Sequence, residues 1–108
     1  MNVKRGDVYW IQFDPSIGSE MKKTRPAVIV SSNEANQYLD RFQVLPLSTN
    51  ISRLYPGEAL VTVNKVQSKG LGNQLTTISQ FRIKEYMATL SSSDIQAIDL
   101  ALRVQLGL

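Results

Sequence analysis

The stretch RGDVYWIQFDPSIGSEMKKTRPAVIVS, Arg5 to Ser31, sets two hydrophobic runs on either side of a charged, polar segment. Val8 to Phe13 alternates around Trp10, is rich in β-formers and stops at Asp14-Pro15, where proline removes a ladder donor, so it reads as a strand. Ser16 to Thr24 carries Gly18 and Ser19 and shows no helical apolar period, which predicts an ordered loop. Pro26 stands at the head of Ala27-Val28-Ile29-Val30, where a strand tolerates proline, and the unbroken apolar run implies burial on both faces. Glu20, Lys22, Lys23 and Arg25 therefore fall between two strands that can hold them rigidly. Such a cluster suits an anionic ligand.

Outward from this stretch the pattern stays β-rich. Ser31 to Leu39 contains Asn33, which can cap a short turn of helix. Phe42 to Leu47, Ala59 to Val63 and Gln74 to Ile78 are short strand-like runs, separated by turn signals at Tyr55-Pro56-Gly57 and Lys69-Gly70-Leu71-Gly72. Strands at this spacing suggest a small barrel or a strongly coiled sheet, which limits exposed edges. Tyr86 to Leu90 adds a further candidate strand. Ser91 and Asp94 then form an S-x-x-D cap, and Ile95, Ile98 and Leu102 recur at helical intervals until Gly107. An amphipathic C-terminal helix packing on the sheet is expected.

Composition narrows the chemistry. The chain has 108 residues, 43% of them hydrophobic, which fits one core and one domain. No apolar run approaches the ~20 residues of a bilayer span. Lys4, Arg5 and Asp7 break any signal-peptide pattern, and with no cysteine there is neither a disulfide framework nor a thiolate nucleophile, so the cytoplasm is the expected compartment. The excess of 12 basic over 9 acidic residues permits polyanion binding without demanding it. The absence of histidine removes the commonest general acid-base and the commonest metal ligand together. Catalysis would rest on carboxylate, hydroxyl, guanidinium or backbone, with no cofactor. A P-loop, a dinucleotide fingerprint and zinc-type spacing are all missing.

The RGDVYW opening, the GSE segment and KTRPAVIVS, in that order, resemble the MazF/PemK family of toxin endoribonucleases. The similarity continues through PLSTN (Pro46 to Asn50), YPGE (Tyr55 to Glu58), NQLTT (Asn73 to Thr77) and the ending TLSSSDIQAIDLALRVQLGL, and so covers nearly the whole chain. It implies a mainly β fold with α: a small SH3-like barrel of the CcdB/MazF type, about five to seven strands with a C-terminal amphipathic helix, forming a single toxin domain over residues 1–108.

Candidate site residues follow. Arg25, at the junction of loop and strand, offers a permanently charged planar fork suited to a phosphate whose charge grows in a transition state. The structural alternative is an ion pair with Glu20 or Asp14. Ser48 ends a hydrophobic strand where the family carries a functional Thr or Ser; Thr49 is adjacent, and Ser-Thr-Asn is also a common turn opener. Glu20 corresponds to the family's loop glutamate, a candidate proton acceptor for a ribose 2′-hydroxyl, or else merely a counter-ion of Arg25. Lys22, Lys23, Thr24, Thr49, Asn50 and Gln74 are candidate substrate contacts. Around Gln74, relatives carry an acidic residue and often Arg where this chain has Asn73 and Thr76, which lowers the local charge. Trp10 is expected in the core, and Arg5-Gly6-Asp7 is expected only to start a strand.

The resemblance implies sequence-specific, metal-independent cleavage of single-stranded mRNA, with the 2′-hydroxyl attacking its own phosphate to leave 2′,3′-cyclic phosphate and 5′-hydroxyl ends. It implies a homodimer with RNA lying between protomers, an antitoxin whose acidic C-terminal segment occupies the same groove, and no membrane partner. Two alternatives belong to other classes. A CcdB-like toxin binds gyrase and is no nuclease, but such relatives rely on a C-terminal tryptophan motif, and this chain ends Val104-Gln105-Leu106-Gly107-Leu108. An inactive SH3-like adaptor is the other.

Overall fold

A computed structural model describes residues 2–13 and 24–108. Its strands are β1 (Asp7–Gln12), β2 (Thr24–Ile29), β3 (Arg41–Ser48), β4 (Glu58–Val63), β5 (Val66–Leu71), β6 (Thr76–Ser79) and β7 (Ile83–Thr89), with helices α1 (Asn33–Tyr38) and α2 (Ser92–Leu106). They form one 7-stranded sheet in the order β4-β5-β3-β2-β1-β7, and β6 pairs with β3. The sheet is curled into a half-barrel closed by the C-terminal helix, as the sequence pattern predicts.

β3 organises the curl. One edge pairs antiparallel with β2, Ala27 opposite Pro46 and Ile29 opposite Val44. The other edge pairs with β6 over Arg41 to Val44 and then with β5 at Leu47 and Ser48. A strand that changes partner midway turns the sheet around itself, leaving two hydrophobic clusters on its two faces. Tyr9, Ile11, Ala27, Ile29 and Val44 belong to the first; Val8, Val28, Leu45, Val61 and the helix residues Ile98 and Ala101 belong to the second. β2 thus buries both faces, which explains its unbroken apolar run.

Local chemistry fixes the ends of the elements. Ser91 caps α2 by accepting from the Asp94 N–H at 3.2 Å, and Gly107 closes it at φ 72°. At α1 the cap is Ser32, which accepts from the Ala35 N–H at 3.1 Å, rather than Asn33. Asn33 is instead occupied by the Arg5 backbone N–H at 2.7 Å. The Arg5-Gly6-Asp7 tripeptide is a strand start, as expected: Arg5 Nε donates to the Val30 carbonyl, Arg5 Nη2 reaches Asp99 at 2.6 Å, and Asp7 accepts from the Lys4 N–H and the Thr89 hydroxyl.

Three further expectations need correction. Lys69 to Leu71, which read as part of a turn, lie inside β5. The real turn is Asn64-Lys65, both at positive φ (49° and 69°), the two-residue type I′ geometry that matches strand twist. Gly70 and Gly72 serve packing instead: a Cβ at Gly70 would lie 2.7 Å from Ile98 Cδ1, and one at Gly72 would lie 2.0 Å from the Gly57 carbonyl oxygen. Gln74 falls in a 3₁₀ turn, Gly72–Gln74, and the strand begins only at Thr76. Trp10 is exposed at 37%, and its neighbour Tyr9 takes the core position. Alternation sent one aromatic inward, and it was Tyr9.

Candidate functional site

The register of the sheet assembles the site. The β2–β3 ladder pairs Ala27 with Pro46. Carried two residues further along both strands, the same register sets Arg25 opposite Ser48. Two residues is also one full pleat, so Arg25 shares a face with Ala27 and Ile29, and Ser48 shares it with Val44 and Pro46. Both lie at the rim of the first hydrophobic cluster. Pro26 brings no N–H to extend the ladder here.

Arg25 is half-buried and stands across β1 from Ile11. Among the described residues no carboxylate lies within ion-pair distance of it. Ser48 is half-buried as well, and its Oγ accepts from the Asn50 N–H at 3.2 Å. The turn-opening role is therefore real, but it uses only an acceptor lone pair. Among the described residues nothing accepts the hydroxyl proton, which can donate to an anionic oxygen. Asn50 Oδ1 in turn accepts from the Ser52 N–H and hydroxyl, so the chain leaving β3 is shaped by its own side chains.

The other candidates scatter. Thr24 begins β2 in an exposed position opposite Gln12, and Thr49 and Asn50 are exposed just beyond β3. Gln74 is exposed on the flank of β3 away from β2, in the turn between β5 and β6, and the topology does not bring it alongside Arg25. Glu20, Lys22 and Lys23, together with Asp14, lie outside the described residues.

The structure adds a cation that sequence reading missed. Lys69 of β5 pairs directly with Ser48, which extends the row to Arg25, Ser48 and Lys69 across β2, β3 and β5. At ~4.8 Å per strand, the backbones of the two cations lie ~10 Å apart. Lys69 is 8% exposed, and its Nζ donates to Glu58 Oε1 at 2.9 Å and to the Arg53 carbonyl at 2.8 Å. The available signal was Glu58 in the YPGE motif, but the lysine sat beside two glycines and read as a turn.

Among the described residues, no group of three or more Asp, Glu, His or Cys side chains is placed to hold a metal ion. A cavity of about 790 Å³ beside α1, lined by Lys4, Glu34, Gln37 and Tyr38 among others, contains none of the row's residues.

Chemically, the row puts a half-buried guanidinium and a half-buried hydroxyl on one sheet face of neighbouring strands, which fits a phosphodiester. Comparison with known proteins points the same way. An endoribonuclease of Mycobacterium tuberculosis, MazF9, is 30% identical over 115 residues, covering 98% of each chain. A crystal structure of MazF from Deinococcus radiodurans superposes with a TM-score of 0.82 at 22% identity, covering 100% of this chain and 99% of that one. A mycobacterial endoribonuclease in complex with its cognate antitoxin superposes with a TM-score of 0.79, again at 22% identity, covering 97% and 95%. The family described as PemK-like, MazF-like toxins of type II toxin-antitoxin systems matches residues 4–106, and this chain belongs to it.

Proposed function

We propose that this toxin is an endoribonuclease that cuts single-stranded RNA by assisting attack of a ribose 2′-hydroxyl on its own 3′-phosphate. The observation that carries the reading is the β2–β3 register, Ala27 opposite Pro46, which continued by one pleat sets Arg25 and Ser48 across from each other on one face. In such a reaction the substrate supplies the nucleophile, so the protein has only to position it and stabilise charge. That accounts for activity in a chain with no histidine and no cysteine.

In this scheme Arg25 neutralises the extra negative charge of the pentacoordinate phosphorane, and Ser48 donates its free proton to a non-bridging oxygen. Glu20 accepts the 2′-hydroxyl proton, because a guanidinium keeps its own proton at any physiological pH and is a poor base. Lys22, Lys23, Thr24, Thr49 and Asn50 line the path of the strand. As the 2′-oxygen bonds to phosphorus the bond to the 5′-oxygen breaks, that oxygen takes a proton from water, and the products are a 2′,3′-cyclic phosphate and a 5′-hydroxyl. DNA, lacking the 2′-hydroxyl, binds without being cut.

The working form is a cytoplasmic homodimer, its single domain spanning residues 1–108. It is held in check by an antitoxin whose acidic, disordered C-terminal segment folds onto the RNA groove. The mycobacterial relative solved with its cognate antitoxin supports that partnership. A segment of that charge excludes a polyanion by occupying its cationic contacts. The gyrase-binding alternative is not favoured, since the helix ends without the tryptophan on which it depends.

The test is incubation of purified protein with single-stranded RNA in EDTA, followed by end-group analysis. Cleavage to 5′-hydroxyl ends that disappears in Arg25→Ala is the expected result. An Arg25→Ala protein that cuts at the wild-type rate would end the assignment.

A further inference from the structure

The segment from Arg53 to Glu58 is built around Lys69. An ammonium has three donors, and at Lys69 one goes to Glu58 Oε1 and one to the Arg53 carbonyl, while the cation sits 5.4 Å from the centroid of the Tyr55 ring. The same Glu58 oxygen accepts from the Tyr55 backbone N–H at 2.9 Å. Tyr55-Pro56-Gly57-Glu58 closes as a turn, with the Glu58 N–H donating to the Tyr55 carbonyl at 3.0 Å and Gly57 at φ +84°, the pattern of a type II turn. Gly57 is tied in turn to the Gly72 N–H. Tyr55 is therefore fixed from both its backbone and its ring, yet the residue is 53% exposed.

A rigid aromatic with one face toward a buried cation and the rest open to water is an unusual use of a large apolar side chain. Its position is informative too. Lys69 pairs with Ser48, and the pleat puts the two side chains on one face, so the ring that Lys69 meets is reached from the same face as Arg25 and Ser48.

From this we infer that Tyr55 is a stacking platform for a nucleobase of the bound single-stranded RNA, held in place by the Lys69–Glu58 pair. The inference rests on the endoribonuclease reading and adds a subsite to it. Stacking on an aromatic tolerates any base, so the platform contributes grip and register along the strand, not base identity. Lys69 acts here as a positioning residue and does not touch the RNA.

The probe is a 2′-O-methyl RNA oligonucleotide, which cannot undergo 2′-hydroxyl attack, carrying 2-aminopurine at successive positions. Wild-type protein should quench the fluorophore at one position, Tyr55→Phe should keep that quench, and Tyr55→Leu should lose it there alone. With cleavable RNA, Tyr55→Leu should raise KM ~10-fold or more while leaving kcat and the salt dependence of binding near wild type, because no charge is removed. Wild-type KM and an undiminished quench in Tyr55→Leu would overturn the platform, as would a Tyr55→Phe protein as impaired as Tyr55→Leu. A wild-type protein that shows the position-specific quench but cuts no RNA would sink the reaction and leave the platform standing.

Discussion

Two regions of one sheet face each carry a cation, and the two cations are treated in opposite ways. At the β3–β5 junction Lys69 is buried and saturated by a carboxylate, a carbonyl and an aromatic ring. At the β2–β3 junction Arg25 is half-buried and meets no carboxylate among the described residues. The same row of the same pleated surface thus holds one charge bound by two hydrogen bonds and an aromatic ring, and one with no counter-ion among the described residues. A charge that is fully coordinated contributes shape. A charge that is partly desolvated and without a carboxylate partner among the described residues favours an incoming anion, since burial strengthens the attraction.

The largest test of this contrast is Lys69→Met. Breaking a buried pair by removing one partner leaves an uncompensated charge, here Glu58, whose side chain is 11% exposed. The expected loss is ~3–5 kcal/mol of folding stability, read as a lower urea midpoint at constant slope. The double replacement Lys69→Met with Glu58→Leu should recover much of it, because no orphan charge remains. If Lys69→Met were as stable as wild type, the saturated cation would be dispensable and the contrast would dissolve.

Arg25→Ala should show the reverse profile. Removing one preorganised donor from a developing oxyanion typically lowers kcat by ~10²–10³-fold. Stability should move little, because the side chain fills no core position and has no described counter-ion to orphan. A large fall in melting temperature would make Arg25 a structural residue like Lys69.

Much of this arrangement was legible in the sequence. The doubly buried β2 and the Ser91 cap each carried a local signal in the right residue types. The β4–β5 hairpin did not. Asn64 and Lys65 turn the chain at positive φ without a glycine to announce it. Gly70 and Gly72, which do announce a turn, are there because α2 and the Gly57 carbonyl approach too closely for a Cβ. That demand comes from tertiary packing and leaves no trace in a single chain read locally. Missing β5 meant missing that Lys69 stands beside Ser48. Trp10 and Tyr9 illustrate the same limit: alternation established that one of them points inward, and the sheet's neighbours decided which.

The hairpin turn offers a smaller, opposite effect. A side chain in the left-handed region carries strain that glycine lacks, so Lys65→Gly should stabilise the fold by ~0.5–1 kcal/mol net of the added freedom of the unfolded chain. Because the turn makes none of the contacts that hold Lys69, RNA cleavage should be unchanged. Altered cleavage would show that strain at Asn64-Lys65 is transmitted to the site.

The subtlest test asks how dry the face around Arg25 is. Tyr9 belongs to that face: it pairs with Ala27, one pleat from Arg25, and packs edge-on against Tyr86 with centroids 5.6 Å apart. Its phenol is held above the ordinary value of 10, first by burial and then by the charges of Asp7 and Tyr86, all of which disfavour the phenolate. A group whose folded pKa is raised contributes stability that is complete below its unfolded pKa and is lost as pH rises through the folded value. Wild-type stability should therefore fall above pH ~10 by more than its exposed tyrosines and lysines explain, and Tyr9→Phe should remove that excess. Denaturant titrations of the two proteins between pH 8 and 12 provide the comparison. Curves that overlay would mean water reaches Tyr9 freely, and the partly desolvated setting that makes Arg25 the stronger anion partner would lose its support.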